Sequence, residues 1–191
     1  MRYPFLAALL ACASLASAWP FRDATPAMPA MPVPTACDGL TTARPGEGHA
    51  FRGHLIDDDL GFMLAVPRGH AGWDGVDDAT PFHGFTIFLD QRRGACILFE
   101  IHRRANGAPA PRPVRDARPQ PLGEATGWRS TRYGVEAGAP TVRIETAFSS
   151  AGRKCAEDGR VLLVAPAGPE GLASRWVYDE FVGSLRFVAR E

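Results

Sequence analysis

The stretch from Pro81 to Arg104, PFHGFTIFLDQRRGACILFEIHRR, constrains the fold of this 191-residue chain more than any other, because it encodes a strand pair that is apolar on both sides. Phe85, Ile87 and Leu89 alternate along the first run, and Ile97, Phe99 and Ile101 along the second, which is the period of two of a strand. With Asp90 to Gly94 (DQRRG) as the turn, Ile87 faces Ile97 and Phe85 faces Phe99, so both rows fall on one side of a central hairpin. Phe88, Cys96 and Leu98 make the other side apolar as well. A sheet that avoids water on both faces must be covered on both, and this predicts a layered domain.

The chain begins with Met1-Arg2, an apolar run to Leu15 and the small residues Ala16-Ser17-Ala18. That order predicts a secretory signal peptide over residues 1–18, cleaved after Ala18. The run is shorter than the roughly 20 apolar residues of a membrane-spanning helix, and no later stretch approaches that length. Leu9-Leu10-Ala11-Cys12 offers the alternative of a lipid anchor at Cys12. Cleavage after Ala18 removes one arginine and no acidic residue, so the exported chain has a formal charge near −1 and no attraction to polyanions. Residues 19–45 begin with WPFRDATPAMPAMPVPTA, a proline-rich tether without an apolar period, and the folded domain is expected over residues 46–191. A domain of that length buries about two thirds of its unfolded surface around a single core.

Three cysteines remain after export: Cys37, Cys96 and Cys155. An oxidising compartment favours one disulfide and one packed thiol. Cys96, inside an apolar strand, is the expected thiol, and Cys37 and Cys155 the expected pair, out of three possible pairings.

Along the chain, Phe62, Leu64 and Val66 alternate before Pro67 ends the strand. Strands are also expected at Gly127–Tyr133, Thr141–Phe148 and Arg160–Ala165, with Gly152–Gly159 as a turn. From Glu170 to Gly183, Ala173, Val177 and Phe181 recur at spacings of four, which predicts a helix, and Leu185, Phe187 and Val188 suggest a short closing strand. Between the hairpin and the later strands lies Ala105–Ala125, ANGAPAPRPVRDARPQPLGEA, read as a long proline-rich loop. A loop of this length in a compact domain is a place to look for a partner site.

Chemistry-bearing patterns are sparse. No Gly-x-Ser-x-Gly turn, Ser-x-x-Lys arrangement or glycine-rich phosphate loop occurs. Asp57-Asp58-Asp59 lacks the alternation of a calcium loop and reads as an acidic turn. His83 and His102 could meet near the open end of the hairpin beside Glu100, making a weak candidate metal site. Glu100, Glu136, Glu145 and Asp179 are carboxylates that could converge in space. Arg103, Arg104, Arg112, Arg115 and Arg118 flank or lie within the proline-rich loop, where guanidinium groups suit bidentate contact with carboxylate or phosphate. No aromatics interleave with them, which argues against a nucleic-acid site.

Two stretches together resemble the PsbP-like fold, an antiparallel sheet with helices on both sides. DLGFMLAVPRGHAGW is similar to its opening strand and tryptophan-containing turn, and GRVLLVAPAGPEGLASRWVYDEFVGSLRF to its closing strand, helix and short strand. Where that fold usually carries a long helix after the central hairpin, this chain has proline-rich sequence. The resemblance implies an α+β architecture, a twisted antiparallel sheet with the C-terminal helix packed on it, and binding or assembly roles without catalytic residues.

The reading is therefore an exported, non-catalytic binding or accessory protein, with no cofactor implied and an envelope protein or ligand as partner. The five arginines are its candidate contacts. An envelope hydrolase or metal-dependent enzyme using His83, His102 and Glu100 is the alternative, and an inhibitor or immunity protein a variant of the first.

Overall fold

The computed structural model describes residues 37, 40–41, 43–75, 84–90, 94–104, 109–110, 112–136, 138–150 and 157–187. The expected signal peptide, Cys12, His83 and Cys155 lie outside these residues. Ten strands precede the helix: β1 (Ala50–Phe51), β2 (His54–Asp57), β3 (Phe62–Ala65), β4 (Gly72–Trp73), β5 (Gly84–Asp90), β6 (Ala95–Arg103), β7 (Arg118–Leu122), β8 (Ala125–Glu136), β9 (Ala139–Ser150) and β10 (Glu157–Pro166). Helix α1 (Leu172–Ser184) and strand β11 (Arg186–Phe187) close the chain. Eight strands form one antiparallel sheet in the order β1-β4-β5-β6-β10-β9-β8-β7, and β11-β3-β2 form a second, smaller one.

The central hairpin has the expected register, Phe85 opposite Phe99 and Ile87 opposite Ile97. Strand β10 joins β6 with Val161 opposite Phe99 and Leu163 opposite Ile97, which extends the same apolar side. This inner face packs against α1 and the small sheet through Phe181, Tyr178, Phe62, Leu64 and Phe187, all buried. Phe99 is the hub, with its ring 5.5 Å from both Phe62 and Phe85, 6.0 Å from Phe181 and 6.3 Å from Phe148. The architecture is thus α+β, a mostly antiparallel sheet with one C-terminal helix laid on it.

The opposite, outer face is apolar only in its middle, where Cys96, Leu98, Leu162 and Val164 cluster with Cys37, Leu40 and Phe88. A disulfide joins Cys37 to Cys96 with 6.3 Å between their Cα atoms. This corrects two expectations. Cys37 pairs with Cys96 and not with Cys155: alternation turns the Cys96 side chain away from the phenylalanine core to the outer face, where the incoming segment can reach it. The folded part also begins before Gly46, since Cys37 and Ala43 are buried.

The proline-rich stretch is likewise not structureless throughout. Residues Arg118 to Leu122 form β7, which pairs with β8 at the end of the large sheet, Pro119 opposite Trp128 and Pro121 opposite Thr126. Prolines at alternate positions present their donorless nitrogens in one direction, away from β8, and leave Gln120 between them to bond inward. Leu122, fully buried, anchors the strand to the inner core.

The Tyr178 hydroxyl lies 2.7 Å from Thr146 Oγ1 and donates to the Val161 carbonyl at 3.1 Å. Burial pushes this phenol well above its ordinary pKa, more than the Thr146 hydrogen bond lowers it. A raised tyrosine pKa means that the folded state holds its proton more tightly than the unfolded chain, so stability is full below about pH 10 and falls as pH rises past it. Denaturant melts at pH 8 and pH 11 are expected to show a larger loss for the native chain than for Tyr178→Phe. Replacing both Cys37 and Cys96 by serine is expected to cost about 2–4 kcal/mol in urea unfolding, since the bridge spans 59 residues.

A candidate binding pocket beneath the proline-rich segment

The outer face of the large sheet carries two chain segments laid across it. At the β4-β5-β6 end the segment beginning at Cys37 lies over the sheet, leaving an open cleft of about 400 Å³ between Leu40, Thr41 and Ala43 on one side and Trp73, Thr86 and Glu100 on the other. Thr86 Oγ1 donates to Thr41 Oγ1 at 2.8 Å and ties the two together. At the β7-β8-β9 end, residues 112–117 form a roof over a more enclosed cavity of about 190 Å³. The roof turns tightly at Val114–Ala117, where the Ala117 amide donates to the Val114 carbonyl at 3.1 Å. Asp116 sits in that turn with φ of 79°, a left-handed conformation that Asp tolerates better than most residues.

The floor of the smaller cavity follows from strand periodicity. Trp128 and Ser130 are outward-facing positions of β8, and Ala147 and Glu145 stand opposite them on β9. Ser149, the next outward position of β9, accepts from Arg104, which also makes a bidentate ion pair with Asp158 through Nε at 2.8 Å and through Nη2. The Arg104 guanidinium holds the Asp158 carboxyl below the usual carboxylate range. Pro113, Val114 and Ala117 supply apolar cover from above, and Arg112 completes the wall.

The four carboxylates that could have converged do not. Glu100 accepts from Arg160 Nε at 2.6 Å, Glu136 from Arg143 Nε at 2.5 Å, and Asp179 from Arg129 Nη1 at 2.7 Å. Glu145 differs from these three. It is half-buried, lines the cavity, and makes no hydrogen bond or ion pair with any described residue. A carboxylate that lines a cavity and has no partner in the fold is free to bind a group that enters it. Neither Ser130 nor the exposed Arg112 has a partner among the described residues.

The candidate arginines therefore separate. Arg112 lines the cavity, while Arg115 sits exposed in the turn of its roof. Arg104 is committed to Asp158 and Ser149. Arg103 is exposed on β6, and Arg118 is exposed on β7 opposite Arg129. Glu100 and His102 share the outer face of β6, but Glu100 is held by Arg160. Among the described residues no three His, Cys, Asp or Glu side chains group to hold a metal. Asp57 accepts the Leu60 amide at 2.8 Å, the turn role expected of the acidic run. Glu145 is named from sequence only as one of four carboxylates that could converge, and Trp128 and Ser130 are not named as site residues at all. Their one-dimensional signature is polar and aromatic residues at the outward positions of two strands, and it acquires meaning only through the register that sets them side by side.

Glu145→Gln is expected to leave stability unchanged or raise it by about 0.5–1 kcal/mol in urea unfolding, since it removes an uncompensated charge. A clear loss of stability would mean that Glu145 is structural.

No family model matches the chain, and no curated protein resembles it in sequence. Among the described residues no helix is long and apolar enough to cross a membrane. Among solved structures, a crystal structure of a protein from Bacteroides thetaiotaomicron is similar over 73% of this chain, with 10% identity and a TM-score of 0.45. The match covers 49% of that protein, so this chain spans about half its length.

Proposed function

We propose that this chain is an exported, non-catalytic binding or accessory protein, and that its contact surface is the proline-rich segment from Arg112 to Leu122 together with the cavity beneath it. The observation that carries this reading is the unpartnered Glu145 in a cavity roofed by that segment. An enzyme would be expected to bring a nucleophile, a base and an orienting group into one place. Among the described residues three of the four candidate carboxylates, Glu100, Glu136 and Asp179, are instead held singly by arginines, and Glu145 stands apart from them.

Export is supported by the N-terminal sequence and by the disulfide, a bond that persists in oxidising compartments. The resemblance to PsbP-like proteins points the same way, to a binder without catalytic residues. Contact through the segment uses side chains and the cavity, with Arg112, Arg115 and Arg118 as its exposed cations.

A crosslinking pull-down from envelope extract compares residues 19–191 with a variant in which residues 112–117 are replaced by a glycine-serine bridge of equal length. One protein held stoichiometrically by the first and released by the second is the expected result. Retention of the same protein by both would remove the segment from the contact surface.

A further inference from the structure

We infer that the cavity between the roof segment and strands β8 and β9 binds a small zwitterion, an α-amino acid with a short apolar side chain. This rests on the reading of the cavity as a contact surface and adds the chemistry of what enters it. Glu145 and Arg112 both line a space of about 190 Å³, one from the sheet below and the other from the segment above. Neither has an ionic or hydrogen-bonded partner among the described residues, and they do not pair with each other.

Glu145 is half-buried and Arg112 is exposed, so a ligand that enters the space covers both charges and must answer them to bind. A neutral ligand would desolvate both without relieving either. A simple cation would answer Glu145 and be repelled by Arg112, and a simple anion the reverse. A molecule with an ammonium and a carboxylate on one carbon answers both across a short span, with a charge-assisted hydrogen bond at each end. The remaining wall is the Trp128 indole with Pro113, Val114, Ala117 and Ala147, an apolar lining for an aliphatic side chain. The space equals about six water molecules at their liquid volume of roughly 30 Å³ each, which admits a small amino acid. The Ser130 hydroxyl, opposite Glu145 in register, is a further free donor or acceptor for the ligand head group.

The test is calorimetric titration of residues 19–191 with L-valine, isobutylamine and isovalerate, which share the aliphatic group and differ in the charges beside it. Saturable binding of valine is expected, with both analogues at least tenfold weaker. Glu145→Gln and Arg112→Ala should each weaken valine at least tenfold while far-ultraviolet circular dichroism stays unchanged. Equal binding of valine and isobutylamine, or valine binding indifferent to both substitutions, would overturn the inference, as would the lack of any saturable heat with valine. If valine fails while the pull-down still loses its partner on replacing residues 112–117, the zwitterion falls and the segment remains a contact surface. If both fail, the cavity reading falls with it.

Discussion

Strands β6 and β10 are apolar on both faces, and the rest of the molecule is arranged around the need to cover them twice. On the inner side the solution is a helix and a small sheet packed around Phe99. On the outer side no second helical layer is present among the described residues. The chain uses two short segments in its place, one fixed by the Cys37–Cys96 bridge and the other by the pairing of β7 with β8. Short covers leave gaps at their margins, and both cavities described above are such gaps.

Charge is organised by the same geometry. Carboxylates and guanidinium groups stand on neighbouring strands or on the helix above them, and four pairs form: Glu100 with Arg160, Glu136 with Arg143, Asp158 with Arg104, Asp179 with Arg129. Partly exposed pairs of this kind contribute little to stability one by one. Their value here is diagnostic. Among the four carboxylates singled out from sequence, Glu145 stands out because its cross-strand neighbours, Leu162 and Ser130, cannot neutralise it.

Much of the fold could be read from the chain alone. The register of the central hairpin, the strand before Pro67, the three later strands and the presence of the helix follow from periodicity, while the helix's buried face is Ser174, Tyr178, Phe181 and Val182, with Ala173 of the expected stripe exposed. What periodicity does not carry is the identity of the partner across space. Cys96 read as a packed thiol, and Cys37 with Cys155 as the pair, because sequence does not show that Cys96 faces outward toward the incoming segment. Proline content suggested a loop over Ala105–Ala125, because the rule that prolines break strands is suspended at an edge, where the missing donor faces solvent. The cavity was invisible for a related reason. Trp128, Ser130 and Glu145 are spread over 18 positions of sequence and adjoin only through the pairing of two long strands.

The alternating prolines of β7 have a consequence for how anything could join this molecule at that end. A row of free amides and carbonyls on a sheet edge is a template onto which a peptide, or a second copy of the chain, can add a further strand by backbone bonding that is nearly blind to sequence. Pro119 and Pro121 erase the amides from that row. Recognition beside β7 is thereby left to side chains, which discriminate, and the protein gains protection from indiscriminate strand addition and fibril growth at that end of the large sheet.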